Sequence, residues 1–121
     1  MKEKLLKRTF DFATRSIDLA NKLIKNCVNQ VIRKQFLRAT TSIGANYREA
    51  CEAESKKDFV HKLGICRKES RESLYWLGLI LHQNKRFRRE INQLTEEATG
   101  FIKIFASAVK TSKEKLLNHK F

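Results

Sequence analysis

The sequence predicts an all-α protein, an up-down-up-down antiparallel four-helix bundle built as a single domain over residues 1–121. Three observations predict it. The chain has no proline and only four glycines, so little interrupts a helix. Four stretches carry apolar residues at alternating steps of three and four, the period of one helical face. Short polar turns holding Asn or Ser separate those stretches, and short turns make consecutive helices antiparallel neighbours.

Helix one is expected over residues 2–26. Leu6, Phe10, Ala13, Ile17, Ala20, Ile24 and Cys27 form a heptad-like core seam. A second apolar row, Leu5, Phe12, Leu19 and Leu23, lies beside it. Together the rows cover about half the circumference, wider than the ~100° that a bundle helix needs. A helix this apolar is either deeply sandwiched or shared with another subunit, and Leu5, Phe12, Leu19 and Leu23 are assigned to an oligomer interface. The remaining face carries Lys4, Arg8, Arg15 and Lys22. Asp11–Arg15 and Asp18–Lys22 stand at pairing distance along the helix, four residues apart.

Helix two is expected over 30–54, capped by Asn29. Ile32, Phe36, Thr40, Ile43, Tyr47, Ala50 and Glu54 share one side, with Ala39, Ser42, Asn46 and Ala53 beside them. These side chains are small, which lets a neighbouring helix come close. Gly44 costs the helix roughly 1 kcal/mol relative to Ala, so it marks a close contact. The stretch Ser42-Ile43-Gly44-Ala45-Asn46 has no Gly-Lys-Ser/Thr ending and is not a phosphate loop.

Helix three is expected over 56–83. Ser55 and Asp58 have the capping-box spacing, with Asp in place of Glu. Its stripe is Phe59, Leu63, Cys66, Ser70, Leu74, Leu77 and Leu81. Trp76 stands on a second face with Ile65, Glu69 and Glu72, either covering the bundle's edge or contacting another subunit. Helix four is expected over 85–112 with Asn84 as its cap. It opens on the densest charge cluster of the chain, Lys85, Arg86, Arg88 and Arg89 around Phe87. The macrodipole disfavours cations at a helix start, so this cluster is a candidate phosphate or acidic-partner site. Ile91, Leu94, Ala98, Phe101, Phe105, Ala108 and Ser112 continue the stripe, and residues 113–121 are expected to fray.

The run Arg38-Ala39-Thr40-Thr41-Ser42-Ile43-Gly44-Ala45-Asn46-Tyr47-Arg48-Glu49-Ala50 carries more than periodicity. With Asp58-Phe59, Lys62-Leu63, Lys68-Glu69 and Glu72-Ser73-Leu74-Tyr75-Trp76-Leu77, it resembles a bacterial four-helix-bundle family. That family includes proteins encoded in intervening sequences of large-subunit ribosomal RNA genes. The resemblance runs from Leu5 to Val109 and is most specific in the middle third. It implies a small cytosolic bundle assembled as a homopentameric ring. It also implies similarity to the accessory variability protein of diversity-generating retroelements, a basic ring that binds nucleic acid and its reverse transcriptase.

Charge supplies the main functional hint read from the residues alone. Twenty-six Lys and Arg against 13 Asp and Glu leave a formal charge of +13, which draws phosphate polymers. The expected function is non-enzymatic binding of nucleic acid, RNA first, through the phosphate backbone by Lys4, Arg8, Arg15, Lys22, Lys85, Arg86, Arg88 and Arg89. The alternative is a protein adaptor that docks an acidic or RNA-bound partner such as a reverse transcriptase. Glu49, Glu52 and Glu54 are close in sequence but have no His or Cys nucleophile beside them, so no catalytic site is assigned. Cys27, Cys51 and Cys66 fall on or near apolar faces and form no metal spacing with His61, His82 and His119. No cofactor, metal or small-molecule substrate is expected. No apolar run approaches the ~20 residues of a membrane span and no signal peptide opens the chain, so the expected location is the cytoplasm.

Overall fold

In a computed structural model, residues 1–119 are described, and they form four α-helices in sequence: α1 (Lys2–Lys22), α2 (Cys27–Cys51), α3 (Lys56–Gln83) and α4 (Arg88–His119). A single 3₁₀ turn, Lys85–Phe87, leads into α4. Consecutive helices pack side by side, and α1 closes the ring against α4. The architecture is the up-down-up-down bundle.

The turns show why the boundaries fall where they do. Asn26, not Asn29, caps α2, its side chain accepting from Asn29 N–H at 2.8 Å. α2 therefore begins three residues earlier than expected. The amide of Asn29 donates instead to the Ile24 carbonyl at 2.8 Å. Arg33 finishes α1, donating from Nε to the Ala20 carbonyl at 3.0 Å and from its terminal nitrogen to Leu23 at 3.2 Å. It satisfies carbonyls that a helix end leaves bare, and α1 stops at Lys22.

Ser55 caps α3 as expected, accepting from Asp58 N–H at 3.0 Å, but the reciprocal Asp58 bond is not made among the described residues. Asn84 terminates α3 rather than capping the next helix, since its amide donates to the Ile80 carbonyl at 3.0 Å. The expected frayed tail is helical through His119, and its last two residues, Lys120 and Phe121, lie outside the described residues.

The core of α1 differs most from expectation. Leu5, Phe12, Leu19 and Leu23 are buried within the protomer, whereas Phe10, Ile17 and Ile24 are 58%, 40% and 59% exposed. The true seam is Leu5, Thr9, Phe12, Ser16, Leu19 and Leu23, alternating by four and three. Two polar residues disguise it. Thr9 and Ser16 are fully buried because each hydroxyl donates to the carbonyl four residues back, Leu5 and Phe12, at 2.8 Å. Leu5, Phe12, Leu19 and Leu23 are therefore core residues and cannot form a subunit interface.

Thr9 also explains Gly44. A Cβ at Gly44 would lie 3.2 Å from Thr9 Oγ1, so α1 and α2 meet at closest approach where neither carries bulk. Against α4, by contrast, α1 packs large rings: Phe12 meets Phe101 edge-on at 5.4 Å, and Phe105 continues the stack. The stripes of α3 and α4 enter the core as the periodicity requires, with Leu63, Cys66, Leu77, Leu94, Phe101 and Phe105 all buried.

Candidate nucleic-acid interface

The basic row of α1 does not face open solvent. Arg8 grips Glu97 of α4 through both Nη2 (2.7 Å) and Nε (3.2 Å), with its guanidinium 5.3 Å from the Phe101 ring centre. Arg15 donates to the side-chain oxygen of Gln93 at 3.1 Å, and Lys22 pairs with Glu90 at 2.9 Å. Three cations seven residues apart thus meet three acceptors on α4, zipping the α1–α4 seam. The Asp11–Arg15 and Asp18–Lys22 pairs expected within α1 are not formed, because Asp11 takes Lys7 at 2.8 Å and Lys22 reaches across to α4. Lys4 is exposed and lies apart from the corner formed by the α3–α4 turn.

That corner does collect the other sequence-derived candidates. Lys85, Arg86, Arg88 and Arg89 are all exposed, and among the described residues none has a carboxylate within ion-pair distance. Arg86 lies over the Phe87 ring, 4.6 Å from its centre. A depression of about 460 Å³ opens there, lined by Arg15, Arg86, Phe87, Arg89, Glu90 and Gln93. One cation of the α1 row, Arg15, therefore joins the α4 cluster across the seam. Glu90, the acidic group in this lining, is engaged by Lys22. The N-terminal dipole of α4 adds positive potential at the same place.

A second polar cluster was not foreseen. Arg38 of α2 forks onto Glu69 at 3.2 Å and onto Glu72, both on α3. Trp76 is half-buried, its indole N–H reaching Glu72 at 3.5 Å and its ring meeting exposed Tyr75 edge-on at 5.1 Å. Burial raises the Glu69 carboxyl above its ordinary value against the pull of Arg38, whereas the Arg38 hydrogen bond holds Glu72 below it. Thirty-one and 34 residues separate these partners, so only the folded hairpin brings them together.

The remaining candidates have structural surroundings. Asn46 donates back to the Ser42 carbonyl at 2.8 Å inside an unbroken helix. Glu49 pairs with Lys62 at 3.4 Å, and Glu52 and Glu54 are exposed. Cys66 is buried, which pushes its thiol up to about 12, Cys51 is half-buried, and Cys27 is exposed rather than set against an apolar face. Among the described residues no group of three or more His, Cys, Asp or Glu is placed to hold a metal, and no helix is long and apolar enough to cross a membrane.

An all-α bundle with ion-paired helix seams and a basic corner free of ion pairs among the described residues is the class that fold and site define. The chain belongs to the 23S rRNA-intervening sequence protein family, whose model matches residues 1–107. It is also similar to a protein of unknown function from the S23 ribosomal protein family of Bacteroides thetaiotaomicron VPI-5482, known from a crystal structure at 1.70 Å resolution. The two share 36% sequence identity with a TM-score of 0.80, over 91% of this chain and 99% of that one. Among curated proteins none matches this chain.

Proposed function

We propose that the protein is a non-enzymatic, basic bundle that binds nucleic acid, RNA in particular, through the phosphate backbone at the α3–α4 corner. The observation that carries this reading is the convergence of Arg15, Arg86 and Arg89 on one depression with Lys85 and Arg88 beside it, none of them in an ion pair among the described residues. Arg8 and Lys22 leave the set of phosphate ligands, because Glu97 and Glu90 already neutralise them. With four or five contacts, the log–log salt slope of RNA affinity is expected near −3 to −4.5, at ~0.7 to 0.9 per phosphate. Reversing Arg86, Arg88 and Arg89 to Glu is expected to shrink the slope by about two to three. Fluorescence anisotropy with a random-sequence RNA oligomer across salt concentrations measures both. Equal binding by parent and triple variant at low and high salt removes the corner from function and favours docking of an acidic protein partner.

We further propose that the protein works as an oligomer, a ring of five being the arrangement its family resemblance implies. The support is a row of large side chains left in solvent: Phe10 and Ile17 on α1 and Ile24 in the turn after it, continued on α2 by Val28 and Val31 at 58% and 60% exposure. Phe10→Lys with Ile17→Lys is expected to dissociate the assembly and keep the helical circular dichroism. Leu19→Lys places a charge in the core and is expected to unfold the protomer instead. Sedimentation of the parent at micromolar concentration as a 14.2 kDa species alone rules the oligomer out.

A further inference from the structure

The α1–α4 seam opens a second time at the other end of the bundle, beside the α2–α3 turn. There a cleft of about 600 Å³ lies between the first turns of α1 and the C-terminal half of α4. That volume falls within the ~300–1,000 Å³ of small-molecule sites. Its apolar wall includes Leu5, Leu63, Ile104, Phe105 and Ala108. Thr111 and Ser112, on the part of α4 that outruns α1, close its far side.

Two polar groups single out a ligand chemistry. Tyr47 lines the cleft and is only 7% exposed. Its hydroxyl has the Cys51 thiol beside it, a weak partner, and makes no other hydrogen bond among the described residues. Burial pushes the phenol up to about 12, so it remains a donor at neutral pH. Lys103 stands in the lining, exposed and without a carboxylate in ion-pair distance among the described residues. Tyr47 and Phe59 also line an adjoining depression of about 510 Å³ that includes Lys2 and Lys56. The end of the bundle is thus an apolar floor with a tyrosine donor and a mostly cationic rim, Glu54 being the acidic group in the lining and Glu3 a second carboxylate close enough to act on the Tyr47 phenol.

We infer that this cleft binds an amphipathic anion of the fatty-acid class, with the acyl chain on the Leu5–Ile104–Ala108 wall and the carboxylate held by Lys103 and the Tyr47 hydroxyl. The chain displaces water from the open part of that wall, the half-buried Ile104 and Ala108 side chains. The head offers the Tyr47 hydroxyl a stronger acceptor than the Cys51 thiol. The site lies at the opposite end of the bundle from the arginine corner and stands or falls independently of RNA binding. No helix carries the site alone, which is why the periodicity holds no sign of a small-molecule ligand.

Isothermal titration with decanoate below its micelle concentration, with decanol as the uncharged control, tests the inference. The parent protein is expected to bind both saturably. Lys103→Glu, an exposed change, is expected to weaken decanoate about tenfold and leave decanol unchanged. Tyr47→Phe keeps the ring and removes the donor, and is expected to weaken decanoate while retaining decanol. Ala108→Phe, which fills the cleft, is expected to abolish both with thermal unfolding still cooperative. Absence of saturable heat in the parent overturns the site. So does equal decanoate affinity in parent, Lys103→Glu and Tyr47→Phe.

Discussion

The two flanks of α1 are built on opposite principles. Toward α2, Thr9 faces Gly44, and the backbones approach until a single added methyl would press on the threonine. Toward α4, Phe12 meets Phe101, and the seam is bridged by the long side chains of Arg8, Arg15 and Lys22. Small residues close a helix pair along its length, whereas rings and ion pairs hold two helices apart. The wide seam is also where depressions open at both ends, one basic and one apolar. The flank of bulky residues carries both candidate sites, and the flank of small residues carries the close backbone approach.

Substitutions break or sharpen this contrast. The largest effect is expected from Phe101→Ala, which empties the centre of the wide seam and should cost about 3–5 kcal/mol in denaturant unfolding. Gly44→Leu forces bulk into the tight flank and should cost about 1–3 kcal/mol through overpacking. Gly64 provides the control. A Cβ there meets nothing within 4 Å, so Gly64→Ala should stabilise α3 by up to about 1 kcal/mol, read as a raised denaturation midpoint.

The smallest effect concerns Arg38, whose side chain is 45% exposed. Glu69 has its carboxyl raised above the ordinary value of 4.5, so its ionisation weakens the fold as pH rises through that raised value. Glu72 is lowered below 4.5, so its contribution is complete above 4.5 and is lost as pH falls through the lowered value. NMR titration of the two carboxyls should therefore place Glu69 above 4.5 and Glu72 below it. Arg38→Met should cost about 0.5–1 kcal/mol at neutral pH, after screening, and almost nothing once both carboxyls are protonated.

Legibility followed the nature of each signal. α3 was readable at both ends because Ser55 caps by local geometry and Asn84 interrupts the pattern. α4 was readable because its core positions are nearly all apolar. The core face of α1 was misplaced by one residue, a turn of about 100°, because buried Thr9 and Ser16 look polar in sequence while their hydroxyls are satisfied by their own helix. The arginine corner was visible as a run of charge. Its connection to Arg15, and the neutralisation of Arg8 and Lys22, were not, because these partners lie 68 to 89 residues apart and no spacing rule reaches that far.

The Arg8–Glu97 bond joins groups 89 residues apart, whereas every other helix pair in the ring is contiguous along the chain. Loop closure makes such a contact the slowest to be gained and the first to be given up. α2, α3 and α4 can assemble through two successive local hairpins, and α1 then shuts the bundle like the last stave of a barrel. Its amides are therefore expected to exchange with solvent deuterium ahead of those in the middle of α3, as the least protected cooperative unit of the native protein.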